Sequence, residues 1–128
     1  MIRVCEMTPD ISMAVSLLEN GEQTLIGFRD GERVPCSVAN IYYIESVDEK
    51  TFAYTKDDCL ELKYKLYELE GMLDGRFFRC SKSMICNVRK IRGIKTGENA
   101  RLNATLLNGE SLVITRSYVR EFKKRLGL

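Results

Sequence analysis

From Thr24 onward the chain holds no single hydrophobic pattern for long: short runs suited to strands are cut by turn-forming pairs, the rhythm of a mainly β domain. Asn108-Gly109 is the strongest hairpin signal, because both residues tolerate positive φ. It predicts that 102–107, where Leu102, Ala104 and Leu106 alternate with polar neighbours, returns into 111–115. Asp30-Gly31 predicts the same between 24–29 and 33–37, while 41–46 and 51–55 flank a turn at 47–50. Further strands are expected at 59–62, 77–80, 84–88 and 91–95, with antiparallel pairing throughout.

Three helices interrupt this rhythm. Thr8-Pro9-Asp10 reads as a helix start, and Ile11, Ala14, Val15 and Leu18 follow at helical spacing before Gly21. Leu62, Leu66, Leu69 and Leu73 predict a mid-chain helix from about Tyr64. A closing helix carries Tyr118, Val119, Phe122 and Leu126, with Ser117 as the expected cap and Lys123, Lys124 and Arg125 near its negative end. The chain of 128 residues suits one compact domain. The expected division is a helical extension over 1–23 and a mainly β (α+β) domain over 24–128, with structural packing the simplest role for the extension's apolar face.

The residue inventory narrows the chemistry. Histidine is absent, which removes the commonest metal ligand and any Ser-His-Asp or Cys-His nucleophile. No phosphate-binding glycine loop or nucleophile elbow occurs. Asp48-Glu49 and Asp57-Asp58 fall in expected turns, where adjacent carboxylates solubilise more often than they catalyse. The five cysteines form no Cys-x-x-Cys pair and read as reduced thiols, although Arg79 and Lys82 beside Cys80 leave it a redox candidate. No enzymatic activity, cofactor or metal is expected. The amino terminus lacks a signal-peptide pattern and no run is apolar enough to span a membrane, so a cytoplasmic location is expected.

Charge is distributed more tellingly than its net of +2 suggests. Residues 1–70 carry 7 Lys/Arg against 14 Asp/Glu, and residues 71–128 carry 13 against 4. A basic second half points to a polyanion, with an acidic protein partner as the competing expectation. Arg79, Ser81, Lys82 and Ser83 form a cationic, hydroxyl-rich segment after Phe77-Phe78. Arg116 and Ser117 sit where a strand gives way to the last helix. Arginine or lysine can read guanine and serine can pair with several bases. The alternative is that Arg79 and Arg116 pair with carboxylates such as Glu45. RNA is less favoured, since the aromatic residues form no visible stacking platform.

Taken in order, Ile41-Tyr42-Tyr43-Ile44-Glu45-Ser46, Leu66-Tyr67-Glu68-Leu69-Glu70, Phe77-Phe78-Arg79-Cys80-Ser81-Lys82-Ser83-Met84-Ile85-Cys86-Asn87, Leu107-Asn108-Gly109-Glu110 and Ile114-Thr115-Arg116-Ser117-Tyr118 resemble a LytTR-type DNA-binding domain. The resemblance implies a stack of small, mostly antiparallel sheets that offers loops to successive major grooves of double-stranded DNA, without a recognition helix. Carried over by position, it implies a first reading loop at 46–51 with Lys50 and Thr51. It implies a second at 79–83 with Arg79, Ser81, Lys82 and Ser83, and a third at 116–120 with Arg116, Ser117 and Arg120. Arg89, Lys90 and Arg92 are implied phosphate contacts. Ser81 stands where many relatives carry histidine, so base preference does not transfer. The stretch before Thr24 is too short for a receiver domain, which rarely falls below about 50 residues. A bacterial stand-alone regulator is therefore expected, with a homodimer and a small membrane-protein inhibitor as candidate partners and no small-molecule substrate.

Overall fold

The computed structural model describes residues 23–128; the helix expected at 9–20 lies outside them. Among the described residues, ten strands form two antiparallel sheets. In chain order, β1 (Thr24–Arg29) and β2 (Glu32–Ser37) make a hairpin, as do β3 (Tyr43–Val47) and β4 (Lys50–Tyr54), followed by β5 (Cys59–Leu62). Helix α1 (Leu66–Met72) precedes the hairpin of β6 (Phe77–Ser81) and β7 (Met84–Asn87). Strands β8 (Ile91–Thr96), β9 (Leu102–Leu106) and β10 (Ser111–Ile114) lead to α2 (Arg116–Leu126). The large sheet has the order β2-β1-β5-β4-β3-β7-β6, and the small one β10-β9-β8. The mainly β class and the antiparallel pairing are as the turn signals predict.

Both sequence-marked hairpins form. Asp30 (φ 52°) and Gly31 (φ 82°) both take positive φ between the paired Arg29 and Glu32. Gly109 has φ 94°, and the Asn108 side chain accepts the Glu110 N–H at 3.0 Å. Pro35 is tolerated because β2 is an edge strand, where a missing N–H disrupts no inner ladder. Gly27 answers a different need. A Cβ there would lie 2.7 Å from the Cβ of Leu60, so only glycine lets β1 approach β5 this closely.

Alternation across the strands sorts the apolar residues into two cores. Ile44, Phe77 and Ile85 join Leu25, Ala53, Leu60, Leu66 and Leu69 in a core that seats α1 on one face of the large sheet. Phe78, Cys80 and Cys86 face the other way, into a core shared with Leu106 and Ile114 of the small sheet and Phe122 of α2. The β6–β7 end of the large sheet is thus buried on both faces, which explains the unbroken apolar pairs Phe77-Phe78 and Ile85-Cys86. The rings of Phe78 and Phe122 lie 5.4 Å apart and fix α2 against β6.

Candidate nucleic-acid interface

Three segments distant in sequence meet at one end of the molecule. β3 and β7 pair antiparallel, so the β3–β4 tip and the β6–β7 turn emerge side by side, and the Ser46 N–H donates to the Ser83 carbonyl at 2.8 Å. On the other flank, the Thr115 N–H donates to the Cys80 carbonyl at 3.0 Å. That bond places the start of α2 against the base of the same turn. A register shift between Arg79 and Ser81 marks a bulge where β6 enters the turn, a common device for re-aiming side chains.

The 81–83 turn is presented outward. Lys82 and Ser83 are exposed, Ser81 is half-buried, and the Ser81 hydroxyl accepts the Ser83 N–H at 3.3 Å. Arg79 sits behind them rather than among them. Its Nε donates to the Ser81 carbonyl at 2.9 Å, its other nitrogens reach the Lys82 carbonyl and Glu70, and its side chain is only 21 % exposed. The carboxylate alternative therefore holds for Arg79, although the partner is Glu70 and not Glu45.

The third segment is not a loop. Residues 116–120 form the opening of α2, and the N-cap is Thr115, not Ser117. Thr115 directs its hydroxyl to the Cys80 carbonyl at 3.4 Å, which leaves Ser117 inside the helix. Arg116, Ser117 and Arg120 remain exposed there. The first loop also contracts. Asp48 and Glu49, both with positive φ, make a two-residue turn between paired Val47 and Lys50. Its tip is acidic, Lys50 alone is cationic and exposed, and Thr51 is only 4 % exposed, so Thr51 offers no contact surface.

Arg89, Lys90 and Arg92 stand elsewhere. They follow β7, whose far end lies about 13 Å from the turn at the usual rise of a strand. Asn87 fixes that exit: it is 1 % exposed, donates to the Ile41 carbonyl at 2.9 Å and accepts the Arg89 N–H at 3.0 Å. Lys90 lies 5.0 Å over the Tyr42 ring. The side chains of Lys50, Lys82, Arg89, Arg92, Arg116 and Arg120 make no hydrogen bond or ion pair with another described residue.

Cys80 is fully buried, its thiol directed at the Met84 carbonyl, so neighbouring cations do not present it to solvent. The Cys86 thiol, hydrogen-bonded to Cys80 and buried, is held well above its ordinary pKa. Sequence reasoning passed over Glu70, Asn87 and Thr115 as determinants of this end. Asn87 had a signal, an asparagine closing an apolar strand, whereas Glu70 and Thr115 act through contacts that no local spacing announces.

Residues 31–127 match the family profile of the LytTr DNA-binding domain. The chain belongs to this family. It is similar to the LytTr DNA-binding domain of a protein described as a methyl-accepting/DNA response regulator from Bacillus cereus. That match has a TM-score of 0.79 and 28% identity, and covers 82% of this chain and 97% of the other. It is also 30% identical over 105 residues to an uncharacterized HTH-type transcriptional regulator of Staphylococcus aureus strain NCTC 8325, covering 82% of this chain and 71% of the relative. A counterpart in the bovine strain RF122 is 29% identical over the same length. The LytTR fold here contains no helix-turn-helix among the described residues, since five strands separate α1 from α2. Among those residues no helix is long and apolar enough to cross a membrane.

Proposed function

We propose that this LytTR protein is a transcriptional regulator that recognises specific sequences of double-stranded DNA. Ser81, Lys82 and Ser83, with Arg116, Ser117 and Arg120 at the start of α2, are its base-reading surface. One observation carries this reading: two backbone hydrogen bonds, Ser46 to Ser83 and Thr115 to Cys80, gather separate segments into one surface whose cations have no partner among the described residues. Cations on a rigid frame, interleaved with hydroxyls, meet what base-edge recognition requires. Arg89, Lys90 and Arg92, beyond the far end of β7, are assigned phosphate contacts set apart from this surface.

The acidic β3–β4 tip lies beside the turn and repels phosphate, so Lys50 is assigned a contact at the margin of this surface. Phosphate neutralisation gives a steep loss of affinity with salt, and base contacts give preference among sequences. Fluorescence anisotropy with a duplex from the protein's own promoter, against random duplex at physiological salt, tests the proposal. Equal affinity for the two would reject it. Retention of an acidic protein partner after nuclease treatment, with no DNA shift, would favour a protein-interaction module instead.

A further inference from the structure

The turn that carries Lys82 is held by a side chain outside it. Arg79 bonds the carbonyls of both Ser81 and Lys82, and a third donor meets Glu70 Oε1 at 2.8 Å. A guanidinium has five N–H donors in a rigid plane, so three engagements in different directions fix its orientation. Packing alone does not hold it: Arg79 and Glu70 both line a cleft of about 290 Å³ with Leu73, Phe77 and Tyr118. The Glu70 carboxylate, on the exposed side of α1, is the anchor that keeps the arginine turned toward the loop.

We infer that Arg79 is a positioning residue and Glu70 its anchor, and that together they set DNA affinity by preorganising the 81–83 turn. This rests on the DNA-reading function proposed above. A loop shaped before binding loses less conformational freedom when it docks, and affinity rises accordingly. The pairing links α1, which contributes nothing else to the interface, to the geometry of Lys82.

Glu70→Gln provides a test in which the two explanations differ in sign. Removing a carboxylate from a protein that binds a polyanion strengthens association through charge alone. Loss of an anchor weakens it. In anisotropy titrations of the full chain with the promoter duplex, Glu70→Gln is expected to weaken binding several-fold and Arg79→Ala about tenfold. The slope of affinity against salt should stay unchanged in both, and the double variant should bind no worse than Arg79→Ala. Arg79→Lys should not rescue, because one ammonium cannot serve three acceptors in a fixed plane. Unchanged far-UV circular dichroism shows that each variant is folded. If Glu70→Gln binds as tightly as wild type or more so, the inference fails while the function stands. It fails likewise if Arg79→Ala lowers the salt slope by about one phosphate. If wild type shows no preference for the promoter duplex, the function fails and this inference with it.

Discussion

The two ends of α2 carry the same charge in opposite surroundings. At its carboxyl end, Lys123, Lys124 and Arg125 complement the helix dipole. Arg125 also donates to the Gly75 and Phe77 carbonyls and lies 5.2 Å over the Phe78 ring. These cations serve folding. At the amino end, Arg116 and Arg120 oppose the dipole, no carboxylate accompanies them in the first turn, and no described residue pairs with them. Among the described residues, nothing requires a cation there. Where a sequence breaks a local rule of stability without a structural return, function is the expected reason. Arg79 and Lys82 repeat the contrast within one loop: the first is spent on carbonyls and a carboxylate, the second is left exposed.

The contrast presumes that α2 is docked, and Phe122 docks it. Phe122 is fully buried against Phe78, and Phe122→Ala should cost about 3–5 kcal/mol of stability, visible as a large fall in Tm. DNA binding should fall with it, because Arg116 is carried by the same helix. Full affinity in a variant with a loosened α2 would break the link between the two ends.

Next in size are the exposed cations. Lys82→Ala and Arg116→Ala should each weaken specific binding by about 1–3 kcal/mol and alter preference at one base position, with no fall in Tm. A uniform loss across sequences would move that residue from base reading to phosphate contact. A matching fall in Tm would give it a folding role and dissolve the comparison.

How much of this was legible in the sequence divides along the same line. Local signals carried the fold: Asp30-Gly31 and Asn108-Gly109 became hairpins with positive φ, and the leucine spacing around Leu66 and Leu69 became a buried helix face. The resemblance named segments, 46–51, 79–83 and 116–120, that the fold brings to one end. What it could not supply were contacts between residues far apart in the chain. Thr115 displaced Ser117 as the helix cap because β6 passes beside it and Cys80 offers a carbonyl. Arg79 is paired instead of free because α1 brings Glu70 within 2.8 Å. Thr51, polar and next to a turn, looked available and is buried in a strand pairing with Leu62. Spacing along a chain reports which face a residue is on, not what the opposite element holds.

Arg125→Ala isolates the folding end. It removes two donations to carbonyls and a contact with Phe78, and should cost about 1 kcal/mol of stability. Specific DNA affinity should change little, since Arg125 lies toward Gly75, the opposite end of α2 from the 81–83 turn. A loss of affinity as large as that of Arg116→Ala would show that the cations of α2 act as one field and not as two groups.

The smallest effect discriminates best. If Arg116 is kept for a partner and opposes its own helix, then Arg116→Ala should raise stability, by roughly 0.3–1 kcal/mol, while it lowers DNA affinity. Chemical denaturation at low salt is the measurement, because screening erodes the dipole contribution. Opposite signs in stability and binding from one substitution are hard to obtain from a residue with a structural job. A drop in stability instead would mean that Arg116 supports the fold, and the amino end of α2 would then resemble the carboxyl end after all.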